Sequence, residues 1–161
     1  MTIVEKIIAS IQAELGADFP VYYHDEPTLN LMTSQMQFPC ALFQLLTTGN
    51  AVNEAGQIKE RVSAAVFFVE PSQFDFNAVD NERIIDRCKG KAFAWVNALN
   101  ADPWLSLTAL NRTTRVYDQY DDILTGFGVF VDLTELNGWS DCPTALYDFN
   151  NDFNNDFLIA I

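Results

Sequence analysis

An α+β fold is what this sequence predicts: a mostly antiparallel sheet with two main helices packed on one of its faces. Two segments place apolar residues at helical spacing, and the segments between and after them alternate like strands. Their order runs helix, strand, long loop, strand pair, helix, strand pair, which suits helices gathered on one side of an antiparallel sheet.

The first helix opens on Thr2-Ile3-Val4-Glu5, a capping box in which the Thr2 hydroxyl serves one orphan amide and Glu5 reaches back to another. Ile3, Ile7, Ile8, Ile11 and Leu15 then share one face, and Gly16 ends the helix in a left-handed conformation. Residues 20–24 read as a short strand, with Pro20 suited to its first position. The loop over 25–37 carries Leu29, Leu31, Met32 and Met36, which is apolar for a segment left in water. Residues 38–48 and 58–70 read as a hairpin with a long polar tip over 49–57.

Asn77 or Asp80 caps the second helix, which runs to about residue 100 with a stripe of Ile84, Ile85, Cys88, Ala92, Trp95, Val96 and Leu99. Gly90 inside it costs about 1 kcal/mol relative to Ala, and close packing on the sheet would account for it. Asp102-Pro103 stops the helix. A second hairpin over 107–117 and 125–136 crosses an acidic turn holding Asp118, Asp121 and Asp122. In its last strand Phe127, Val129, Val131 and Leu133 oppose Gly126, Gly128, Phe130 and Asp132, so the core face is legible. After Asn137-Gly138 regular structure is expected to end. The chain therefore divides into a core domain, 1–138, and an acidic Asn/Asp/Phe-rich arm, 139–161.

The central strands are apolar on both sides. Cys40, Leu42 and Leu46 oppose Ala41, Phe43 and Leu45, and Val62, Ala64, Val66 and Phe68 oppose Ala65, Phe67 and Val69. Two helices on one face leave the other face needing a cover. The 29–36 loop, the C-terminal arm and a neighbouring subunit are the candidates.

Composition excludes several functions. A net charge of −13, with no basic residue after Arg115, opposes nucleic-acid binding. No stretch approaches the roughly 20 apolar residues of a membrane span, and the N-terminus lacks a signal-peptide pattern. Cys40, Cys88 and Cys142 have no metal-ligand spacing and read as small hydrophobes of a reducing compartment. His24, beside Asp25 and Glu26, is the chain's one histidine and reads as a surface residue at a strand end, which removes the usual general base. The 148–156 run repeats oxygen ligands like a calcium loop, but Phe153 stands where Gly is required and Ile159 where Glu is. No Gly-rich phosphate loop follows a strand. No catalytic, cofactor or metal residue is expected, and the chain does not read as an enzyme.

Contact elements are expected instead. Phe149, Phe153 and Phe157 recur every four residues, so an extended arm carries them on one side, to pair with a neighbour's sheet or to fold on its own subunit. Asn50 and Val52 at the hairpin tip, and Phe67 and Val69 on the outward sheet face, are the other candidates.

The order of elements, together with Val21-Tyr22-Tyr23, Phe38-Pro39-Cys40-Ala41-Leu42-Phe43, Phe67-Phe68-Val69-Glu70, the helix containing residues 92–99 and a final hairpin around Tyr117-Asp118 and Gly126, resembles the tail-terminator or tail-completion proteins of long-tailed bacteriophages. The likeness covers about residues 3–136; the arm and the long first loop depart from the family's pattern. The resemblance implies a homo-oligomer, a hexameric ring that caps the tail tube and joins it to the head. It implies tail-tube and head-completion or neck proteins as partners, DNA passing through without specific binding, and no cofactor. The place of action would be the virion tail or neck, reached from the host cytoplasm. A neck adaptor of related fold, or a non-viral ligand- or peptide-binding module with the 29–36 loop as its lid, are the alternatives.

Overall fold

The computed structural model describes residues 1–23, 36–54, 57–72, 79–119 and 124–136, with backbone alone at 47–54, 57–58 and 118–119. Its elements are α1 (Ile3–Leu15), β1 (Val21–Tyr23), β2 (Cys40–Glu54), β3 (Gln57–Pro71), α2 (Val79–Ala98), β4 (Leu105–Gln119) and β5 (Leu124–Glu135). The strands form one sheet in the order β1-β2-β3-β5-β4. Only β1 and β2 run parallel, and the other neighbours are antiparallel. The α+β expectation is met.

The capping box at Thr2 and Glu5 forms as read. Gly16 ends α1 with φ 112° and ψ 143°, a positive φ that any side chain would strain, though not the left-handed helical conformation expected. Both helices lie on one face. Ile7 and Ile11 of α1 and Ile85, Cys88, Ala92, Trp95 and Leu99 of α2 bury against Phe43, Val66, Phe68, Val129, Val131 and Leu133 of the sheet. The Trp95 indole also donates to Ser10 Oγ at 3.1 Å, which satisfies its buried N–H and ties the helices together. Gly90 is exposed, with open space where a side chain would stand, so close packing does not explain it.

Two boundaries differ from the sequence reading. The 49–57 stretch expected as a polar connection is mostly strand, paired from Asn50↔Arg61 to Glu54↔Gln57. Register shifts between Leu45 and Thr47 and between Thr47 and Asn50 absorb the extra residues. Asp118, expected in the turn, belongs to β4, whose ladder continues to Gln119↔Leu124. Asn77, the 25–35 part of the loop, Asp121, Asp122 and the arm lie outside the described residues.

The second face is not apolar throughout. At one end Cys40, Leu42, Val69 and Leu124 are 0–1% exposed, packed with Tyr22, Met36, Phe38 and Phe67. Residues 36–38 of the same chain thus roof this end. Met36 belongs to the 29–36 loop, one of the three covers expected from the sequence, and at this end the cover comes from the same chain. The other end is polar: the Ser63 hydroxyl donates to Asp132 at 2.5 Å, Arg61 donates to Thr134, and the Thr108 and Thr134 hydroxyls share a hydrogen bond. Strand alternation places these groups opposite the helices.

Candidate assembly surfaces

Three surfaces remain for a partner. The first is a ribbon. β3 pairs with β5 only from Arg61 to Pro71, so the pairs Ala51↔Glu60, Val52↔Lys59, Asn53↔Ile58 and Glu54↔Gln57 overhang the sheet as two strands. Four pairs at strand rise project roughly 14 Å. Val52 lies on this ribbon and Asn50 at its base, as backbone positions within a strand and not in a loop tip.

The second is the pair of sheet edges. β1 covers β2 only at Ala41, Leu42 and Phe43. Beyond them, among the described residues, no strand lies along the outer side of β2, nor along the outer side of β4. β4 carries three register shifts and two arginines, Arg112 and Arg115, devices that discourage indiscriminate edge pairing. Arg115 is held by Tyr117 and Glu82, and the Tyr117 hydroxyl first, then the Glu82 carboxylate, raise its pKa.

The third is the half of the second face that, among the described residues, 36–38 do not roof. Phe67 and Phe130 meet edge to face at 5.8 Å between ring centroids, and the Arg112 guanidinium sits 4.1 Å above the Phe130 ring. Gly128 makes this stack possible. A Cβ there would stand 2.5 Å from the Phe67 ring and 3.0 Å from Thr114. Phe67 and Phe130 are half-buried and Arg112 is exposed. Hydrogen bonds from Ser63 and Asn111 hold Asp132 below its ordinary carboxyl value.

Of the contact residues read from sequence, the structure keeps Phe67 on this surface and removes Val69, whose 1% exposure makes it core. Val69 shares Phe67's parity along β3, but it stands two pairs nearer the end roofed by Met36 and Phe38. Phe149, Phe153 and Phe157 lie outside the described residues, as do His24 and Cys142. Sequence reasoning missed Phe130 and Arg112. The tightly spaced Gly126 and Gly128 opposite Phe67 were the available signal, because small residues beside an aromatic mark where a ring lies across a strand.

Burial pushes Cys40 and Cys88 up to about 12, so both stay neutral thiols at physiological pH and act as packing groups. Among the described residues no group of three His, Cys, Asp or Glu is placed to hold a metal ion. No described helix is long and apolar enough to cross a membrane. No protein-family model matches the chain, and no curated protein matches it.

Proposed function

We propose that the protein is a self-associating structural subunit of the tail-terminator or tail-completion type, closing into a ring that caps a phage tail tube and joins it to the head. One observation carries this reading: a two-stranded ribbon overhangs a sheet that is open along both outer edges among the described residues. A hairpin with neither a third strand nor a helix against it is marginal in water. A second copy lying against the overhang supplies the missing support. Open edges on opposite sides of the sheet give each subunit two unlike surfaces, which is what head-to-tail ring closure needs.

The mechanism is steric. Ring subunits occupy the end of the growing tube and leave no site for another tube subunit, while the outer ring surface meets the neck proteins. The net charge of −13 suits a lumen through which DNA slides without adhering.

Sedimentation and negative-stain imaging of the full chain at micromolar concentration, alone and mixed with tail-tube protein, test this. Closed rings, free or on tube ends, are expected, with Val52→Asp in the ribbon abolishing them while leaving the circular dichroism spectrum unchanged. A monomer that neither closes nor terminates tubes overturns the proposal.

A further inference from the structure

The apolar face of α1 repeats itself. Ile3, Ile7, Ile11 and Leu15 stand four residues apart; Ile7 and Ile11 are buried in the core, and Ile3 and Leu15 pack against it. Sliding α1 by one such step moves it about 6 Å along its axis and turns it about 40°. Ile7 then takes the place of Ile3, Ile11 that of Ile7 and Leu15 that of Ile11, exchanges that conserve volume. Beside them Ile8 takes the place of Val4 and Gln12 that of Ile8, all four positions half-buried or filled from half-buried ones. Apolar packing therefore distinguishes the two positions of the helix poorly.

Two polar residues share the buried side of α1, also four apart. Lys6 and Ser10 are 7% and 4% exposed. Lys6 Nζ lies 2.6 Å from Glu135 Oε1, and Ser10 Oγ accepts from Trp95 Nε1 at 3.1 Å.

We propose that these two contacts are a register lock: they hold α1 at one axial position that its apolar repeat leaves open. This inference goes beyond the proposed function and does not depend on ring formation.

Three observations converge. The first is that neither slip preserves the contacts. With residue 10 in the place of Lys6, the buried Glu135 carboxylate loses its cation, and Glu14 carries a second charge into the enclosed site at Trp95. A slip the other way sets Thr2 against Glu135 and the Lys6 ammonium against the indole N–H, donor against donor. The second is that the pair is poorly built for stability. Both groups are nearly enclosed, and Glu135 Oε2 has no partner among the described residues, so the cost of desolvation is incompletely offset. Fixing register is the best-attested use of such a contact. The third is the link from α1 to β1. Residues 16–20 fold back in a turn in which the Phe19 N–H donates to the Gly16 carbonyl, and opening it lengthens the link. Gln12 Nε2 donates to the Phe19 carbonyl at 3.2 Å across the same turn, a third and more exposed tie.

Nuclear Overhauser contacts of the Trp95 indole proton in the full chain read the register. The unaltered protein should show one indole signal with contacts to residue 10. Lys6→Met with Ser10→Ala and Glu135→Leu removes both contacts; a cooperative melt should persist, with a second indole signal that touches residue 14. Ser10→Lys with Glu14→Ser moves the cation and the hydroxyl one turn along the helix, and the indole contact should shift from residue 10 to residue 14. Contacts confined to residue 10 in either folded variant overturn the proposal. Loss of the cooperative melt in the triple variant also overturns it, because the contacts would then attach α1 to the sheet rather than choose its position. Where Ser10→Lys with Glu14→Ser fails to fold, the triple variant decides alone.

Discussion

The two faces of the sheet are built from the same strands and solve different problems. On the helix side, Trp95, Phe43, Phe68, Ile7 and Ile11 are fully buried beneath α1 and α2. That side is a close-packed apolar layer whose residues repeat at the strand period. On the opposite side the strands hold small residues, Ala65, Gly126 and Gly128, beside a few large ones. One end is sealed by Met36 and Phe38, and the other is tied by hydrogen bonds and an arginine–aromatic stack. Apolar residues on both sides of a strand therefore report that both sides lose water. They do not report what removes it.

The contrast can be broken by truncation. Trp95→Ala should cost about 3–5 kcal/mol, because it empties a filled site between helices and sheet and orphans Ser10. Phe130→Ala, on the half-covered face, should cost roughly 1 kcal/mol, within what partial burial of one aromatic ring supplies. Urea denaturation of both variants measures the difference; equal losses would mean that the second face is as closed as the first.

The helix side also holds a buried charge pair. Lys6 of α1 and Glu135 of β5 lie 2.6 Å apart, both nearly enclosed, and Glu135 Oε2 has no hydrogen-bond partner among the described residues. Lys6→Met alone should cost about 3–5 kcal/mol by stranding the carboxylate, and Lys6→Met with Glu135→Leu should recover most of it. A double variant no more stable than the single one would show that the pair contributes net stability. On the solvent side of the same layer, Gly90→Ala should stabilise by about 1 kcal/mol, because space is open and only helix propensity changes.

The smallest effect concerns pH. Burial raises the Glu70 carboxyl, but hydrogen bonds from Arg87 and Lys91 outweigh it and hold the folded value below 4.5. A carboxyl depressed on folding contributes stability that is present above its unfolded value and lost as pH falls through the folded one. Glu70→Gln should therefore lower stability slightly at neutral pH and flatten the loss below about pH 4.5, since exposed Arg87 is screened by solvent. Thermal melts between neutral and acid pH compare the two proteins.

Much of the architecture was legible because local signals agreed with the tertiary result. The Thr2–Glu5 box, the α2 stripe ending at Leu99 and the alternation of Phe127, Val129, Val131 and Leu133 each encode one burial direction. The ribbon was not legible. Its polar residues look like a loop, and only the pairing of 50–54 with 57–61, which carries the hairpin past the rest of the sheet, makes them strand. The contact surface was half legible: Phe67 and Val69 have the same parity and similar chemistry. Their different fates depend on residues 36–38, about thirty positions earlier.

By itself, the sequence determined the class of fold, both helices and their buried sides, the core face of the last hairpin and the lack of any basic residue after Arg115. These follow from periodicity and charge, which act between near neighbours along the chain. Only the tertiary structure decided which end of the second face is roofed, that Arg112 rests on Phe130, and that Lys6 meets Glu135. Those outcomes depend on contacts between distant segments, and no local pattern specifies a partner that the chain reaches only by folding.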